Sequence, residues 1–343
     1  MKSKARQKII LPISDCLPGM IIMQPIIDIE TGNIIVAKDS ELTRNILERI
    51  KYFRHTEIWV KVPSEENIWT VDKKTLKKYI EYAHTLEKVF GKFDKNTQVA
   101  IREIKELAKS ILANFNYDFE LLGCVSLMKN LQKDIYVHSM NVTFLAVLTA
   151  RWCGLSNKLE QVILSGLLHD IGKINMPKEL LYFRDNFSVE QALEYKRHPI
   201  YGYEKIKDFE EIDREISRAV LGHHERCDGS GYPLNLTAED ITMLTRMLGI
   251  VDEYERLRKS YHIFDIVRIL KSESIKKFDI NILTKFCDNI MSYYIGAYIR
   301  LSTSEEAEVV FIHPHCLHRP IVKVKDTYLD LYNNPNIRIE EVL

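Results

Sequence analysis

Apolar positions recur at two different spacings along the chain, and the changes of spacing mark its divisions. Residues 9–11, 20–27, 34–37 and 58–62 are short runs rich in β-branched side chains, punctuated at Pro18-Gly19 and Thr31-Gly32, and they predict strands joined by turns. Between them, residues 40–50 carry helical spacing behind a Ser or Asp cap. A polar stretch over 63–75 then leads to apolar residues at threes and fours: Leu76, Tyr79, Ile80 and Ala83, followed by Ile101, Ile104, Leu107, Ala108, Ile111 and Leu112. That spacing predicts consecutive helices up to about residue 131, each with one apolar face. The helical pattern continues from Val137 with breaks near 154–156, 172–177, 184–188 and 228–240, and resumes over 263–270 and 280–295. At the end, 297–301, 308–312 and 320–324 read as strands around a Pro-rich turn, a small antiparallel tail. The fold class expected is mainly α: a helical bundle with a small N-terminal α/β module and a short β-rich C-terminal tail.

Length and charge narrow the function classes. With 343 residues the chain has room for two or three domains. Its 48 Lys and Arg balance 48 Asp and Glu, so no global field gathers a polyanion, and nucleic acid polymers are not expected partners. The longest apolar runs, such as 144–148, fall far short of the roughly 20 residues of a spanning helix. The basic start MKSKARQKII is not followed by a long apolar core, and the expectation is a soluble cytoplasmic protein without membrane insertion. Six scattered cysteines without a CxxC pair read as reduced, mostly buried thiols.

Chemistry-bearing residues concentrate between 138 and 252. His138, His169-Asp170, His198, His223-His224 and Asp252 all fall in apolar, helix-patterned segments. Burying an imidazole and a carboxylate without a partner costs several kcal/mol, and a divalent cation removes that cost. Adjacent residues on a helix point about 100° apart, so a single apolar face does not easily absorb both His223 and His224 as packing groups. The set therefore reads as ligands of neighbouring metal ions. His55 and His84 stand alone and read as structural. The run His313-Pro-His-Cys-Leu-His318 has zinc-ligand types at short spacing, but it falls between two β-like runs.

The motifs His169-Asp-Ile-Gly-Lys173, His198-Pro-Ile-Tyr-Gly202 and, above all, His223-His-Glu-Arg-Cys-Asp-Gly-Ser-Gly-Tyr-Pro233 resemble those of the HD-GYP branch of the HD metal-dependent phosphohydrolases. The resemblance covers roughly residues 130–325. It implies an HD-type helical bundle that hydrolyses cyclic di-GMP to pGpG and often GMP in signal transduction. It further implies that Asp170 bridges two ions, with His138, His169, His198, His223, His224 and Asp252 as the other ligands, and that a hydroxide shared by ions about 4 Å apart attacks the phosphorus. Iron or manganese suits such ligands, and zinc is also admitted by ligand type. Asp134, one turn before His138, is a candidate ligand for a third ion. Lys173 is expected on the phosphate as a catalytic and substrate-binding group, with Gly231 and Tyr232 at the pocket mouth.

The resemblance weakens after Asp252. The family's Phe-Asp-Ala-Leu-Thr and Arg-Pro-Tyr-Arg segments are replaced by Tyr254-Glu-Arg-Leu-Arg-Lys-Ser-Tyr-His262, where Arg258 and Lys259 are the candidate substitutes for the ligand-contacting arginine. Two other readings stay open: a non-enzymatic cyclic di-GMP sensor, and an HD phosphohydrolase for another nucleotide. The divisions expected are a sensing or docking module over 1–75, linking or packing helices over 76–129, the catalytic domain with its β-rich tail over 130–325, and an extension over 326–343. A protein partner or a homodimer contact would fall on the N-terminal module.

Overall fold

The computed structural model describes residues 9–13, 16, 21–28, 31, 33–51, 57–61, 71, 73–128, 135–181, 187–273 and 275–343. The expected turn at Pro18-Gly19, most of the polar stretch after residue 62, His55 and Asp134 lie outside these residues. The chain divides into two units, Val71–Asn289 on one side and the N-terminal residues with Ile290–Leu343 on the other.

The N-terminal residues contain strands β1 (Ile9–Pro12), β2 (Ile21–Ile22), β3 (Ile26–Ile27) and β4 (Ile34–Val36), helix α1 (Arg44–Lys51) and strand β5 (Glu57–Lys61). β5 lies between β1 and β2, antiparallel to both, and β3 pairs with β4. The single strand expected over 20–27 is two short ones, because Pro25 has no N–H to place in a ladder.

The helical unit runs through α2 (Lys73–Phe90), α3 (Thr97–Asn114), α4 (Asp118–Leu127), α5 (Ile135–Trp152), α6 (Leu159–Leu168), α7 (Val189–Tyr195), α8 (His198–Ile206), α9 (Arg214–Gly222), α10 (Met243–Leu257), α11 (Ile263–Arg268) and α12 (Ile280–Ser292). Local chemistry sets the starts. Asn96 caps α3 through the Val99 N–H, Ser188 and Gln191 cap each other's backbone at the head of α7, Asp213 caps α9 and Thr242 caps α10. The buried stripe of α3, Ala100, Ile101, Ile104, Leu107, Ala108 and Ile111, follows the expected spacing. α5 differs, being buried on all sides from Val137 through Ala150. Its polar residues are therefore inside the protein. Thr143 and Thr149 return their hydroxyls to carbonyls one turn back, whereas His138 and Asn141 reach across to α10. No described helix is long and apolar enough to cross a membrane.

The C-terminal residues form an antiparallel sheet of β6 (Tyr298–Leu301), β7 (Glu306–His313), β8 (Cys316–Val324), β9 (Thr327–Asp330) and β10 (Ile339–Val342), in the order β10-β6-β7-β8-β9. The stretch read as an extension thus supplies both edge strands. The strand expected from Pro320 begins four residues earlier, at Cys316, so Pro320 sits inside β8, opposite a stretch of β7 where the register shifts.

Candidate metal centre

Four segments of the helical unit end or begin at one point, and a fifth helix passes it. His138 is in the first turn of α5, His169 and Asp170 follow α6, His198 opens α8, His223 and His224 follow α9, and Asp252 lies on α10. Gly172, at the break expected near 172–177, allows a close approach: a Cβ there would collide with the His198 carbonyl oxygen and the Gly202 nitrogen. The segment carrying Asp170 is thereby held against the head of α8.

Three histidines are aimed by the same device. His169, His198 and His223 each place Nδ1 at 2.7 Å from the carbonyl three residues earlier, on Gly166, Tyr195 and Val220. A carbonyl only accepts, so Nδ1 carries the proton and Nε2 turns inward. Nitrogens of His198, His223 and His224 come within 4.8 Å of one another, and so do the ligand atoms of His138, His169 and Asp252. Asp170 stands between these two sets. Its Oδ1 lies 3.2 Å from His198 Nε2 and 3.8 Å from His223 Nε2, while its Oδ2 lies 3.4 Å from His169 Nε2 and 3.6 Å from His138 Nε2. Lys173 Nζ donates to the same Oδ2 at 2.7 Å.

Electrostatics shows what the cluster lacks. Burial pushes the Asp170 carboxyl up, but Lys173, His169 and His198 outweigh it and hold it well below the usual carboxylate range. Asp252 is likewise held low, burial being outweighed by His138 and His224. Burial, then Lys173, lowers His198; burial, then neighbouring imidazoles, pushes His223 and His224 well below an ordinary histidine. Asp170 and Asp252 are thus anions and His198, His223 and His224 offer neutral lone pairs toward a common space, whereas at His169 burial is outweighed by Asp170 and the pKa is raised. Asp170 Oδ1 and His224 Nε2 are buried and receive no hydrogen bond from the described residues. Divalent cations bound by nitrogen and oxygen fit this donor set.

Around the cluster, Tyr232 stacks on His224 with ring centroids 4.6 Å apart, and Lys196 Nζ lies 5.5 Å from its ring. Its loop is pinned by Glu225, a residue only 3 % exposed, whose two oxygens accept the Leu234 and Leu236 N–H groups at 2.6 and 3.0 Å. Gly231 belongs to this packing, since a Cβ there would collide with the Glu225 backbone. Tyr195 covers another side, its ring 5.1 Å from Lys173 Nζ and 5.2 Å from the His198 ring.

Arg258 does not stand where a substrate could meet it. It is 6 % exposed, with Nη1 on Glu255 at 2.6 Å and Nη2 on the Val125 carbonyl at 2.9 Å. The period of α10 accounts for this: Asp252, Glu255 and Arg258 follow at intervals of three and share the buried face. Lys259, one residue on, is exposed, and its pKa is lowered by burial of its ammonium and then by Lys173. His84 is an exposed residue 3.7 Å from Glu87. In the tail, His313 Nε2 lies 3.0 Å from Asp330 Oδ1, and Cys316 Sγ lies 3.7 Å from His318 Nδ1; the metal-capable groups among the described residues include none of these. The sequence does not single out Tyr195, Glu225, Asn141 or Glu255.

The helical bundle and the two-part His and Asp cluster define the class. Residues 128–279 match the HD domain family, which bears out the resemblance read from the motifs. Among similar proteins, the cyclic di-GMP phosphodiesterase PA4108 of Pseudomonas aeruginosa is 31 % identical over 64 % of this chain and 54 % of its own length. The cyclic di-GMP phosphodiesterase PdeB of Borreliella burgdorferi is 28 % identical over 51 % of this chain and 48 % of its own. The chain spans about half the length of these curated relatives. The solved structure of Bd1817, an HDG"Y"P protein from Bdellovibrio bacteriovorus, shares the fold with a TM-score of 0.56 and 18 % identity, over 83 % of this chain and 99 % of that one.

Proposed function

We propose that the chain is a metal-dependent phosphodiesterase that hydrolyses cyclic di-GMP to pGpG and GMP. The observation that carries this reading is the placement of Asp170, one oxygen toward each of two ligand sets. His138, His169 and Asp252 would hold one ion, His198, His223 and His224 the other, and Asp170 both. Iron or manganese is the proposed metal, with a third ion only if Asp134 takes part. Two such ions supply Lewis acidity toward phosphate oxygens and acidify water near neutral pH.

The chain's own groups do the rest. Lys173 lies beside Asp170 with its ammonium held charged, where it would meet negative charge developing on a non-bridging phosphate oxygen. Tyr232 presents a ring at the mouth for a guanine to stack on, and Lys196 and Lys259 place further positive charge around a doubly anionic ligand. The names of the relatives supply the substrate class. The N-terminal module is assigned sensing or docking, and a cytoplasmic location follows from a nucleotide substrate of that kind.

Anaerobically purified protein, supplied with Fe²⁺ or Mn²⁺ and cyclic di-GMP and followed by chromatography, is expected to yield pGpG and then GMP. Unchanged substrate at full metal occupancy would overturn the enzyme in favour of a binding protein.

A further inference from the structure

Directly behind the cluster lies a second set of buried polar side chains. Glu255 is fully buried; its Oε1 accepts from Asn141 Nδ2 at 2.7 Å and its Oε2 from Arg258 Nη1 at 2.6 Å. Asn141 Oδ1 in turn accepts from the Tyr79 hydroxyl at 2.7 Å, and Arg258 Nη2 donates to Val125 O at 2.9 Å. Helices α2, α4, α5 and α10 are thus tied through one carboxylate whose charge is neutralised inside the protein.

The register of this set is what matters. His138 and Asn141 are one turn apart on α5, and Asp252 and Glu255 are one turn apart on α10. The two helices are therefore bound at successive turns, once by His138 and Asp252 at 3.1 Å and once by Asn141 and Glu255 at 2.7 Å. Each side chain of the rear pair has a second partner that fixes its orientation; the front pair faces the space between the ligands. The set His198, His223 and His224 rests on α8 and α9, which contribute nothing to the rear set.

We propose that Tyr79, Asn141, Glu255 and Arg258 form a clamp that positions His138 and Asp252 for their ion and leaves the ion of His198, His223 and His224 unaffected. Tyr79 and the Val125 carbonyl precede the matched residues 128–279, so α2 and α4 are working parts of the centre. The inference rests on the two-ion reading above.

Calorimetric titration of the metal-free full chain with Mn²⁺ tests both separately. Wild type should take up two ions, and His138→Ala should identify the step that belongs to its set. Asn141→Ala should weaken that same step by about tenfold or more and leave the other as in wild type. Tyr79→Phe, which loses one hydroxyl and keeps the ring, should weaken it by less, and covers the case in which Asn141→Ala fails to fold. Thr149→Val, a buried change elsewhere on α5, should alter neither step. Unaltered binding in the folded clamp variants, or equal weakening of both steps, overturns the clamp; a wild type that takes up no Mn²⁺ overturns the two-ion reading.

Discussion

The Nε2 atoms of His198 and His223 face each other across 3.2 Å, although both rings commit their Nδ1 proton to a backbone carbonyl. With both imidazoles held neutral, two lone pairs oppose one another inside the protein, an arrangement a cation relieves. Metal should therefore stabilise the fold. At a free concentration a hundredfold above its Kd, one ion adds about 2.7 kcal/mol. Thermal melting of chelator-treated and Mn²⁺-loaded protein should differ by several degrees; coincident curves would count against the centre.

Lys173 shares Asp170 Oδ2 with the cluster, so removing its charge separates metal binding from chemistry. Lys173→Met should retain full metal content and lose about 10²- to 10³-fold in kcat. A loss of turnover that merely tracks lost metal would make Lys173 a support for Asp170.

Glu225 offers a different separation. Glu225→Ala strands the Leu234 and Leu236 N–H groups and should cost about 1–3 kcal/mol of stability. Because that loop carries Tyr232, KM for the cyclic dinucleotide should rise while metal content stays at the wild-type level, which elemental analysis beside a kinetic titration would check.

Asp279 gives a pH signature away from the metal. Burial opposes its charge, but Arg246 and the Ile282 and Asn281 N–H groups outweigh it, so its pKa falls below the ordinary 3.8. A depressed carboxyl stabilises the fold above its unfolded pKa and loses that contribution as pH falls through the folded one. Asp279→Ala should cost about 1–2 kcal/mol at neutral pH, as a lost helix cap and ion pair. The gap to wild type in denaturant titrations should close below about pH 3.8; a gap independent of pH would refute the assignment.

The candidate ligand residues were legible because imidazoles and carboxylates stand out in apolar, helix-spaced sequence, and the motif over 223–233 beside them is long and specific. Their supports were not. The carbonyls of Gly166, Tyr195 and Val220 carry no side-chain signal, and Asn141 meets Glu255 across 114 positions. Arg258 could have been placed correctly from its interval of three to Glu255, which puts both with Asp252 on one face. In the tail, β9 lacks alternation because Thr327 and Tyr328 are both exposed at the sheet edge, so no period of two marks it as a strand.

The most direct measurement is metal content and cyclic di-GMP turnover on the same samples of wild type and Asp170→Ala. Wild type should hold two ions per chain and form pGpG, whereas Asp170→Ala should lose metal and all turnover. Equal metal and equal turnover in the two proteins would contradict the bridging role of Asp170 and with it the proposed centre.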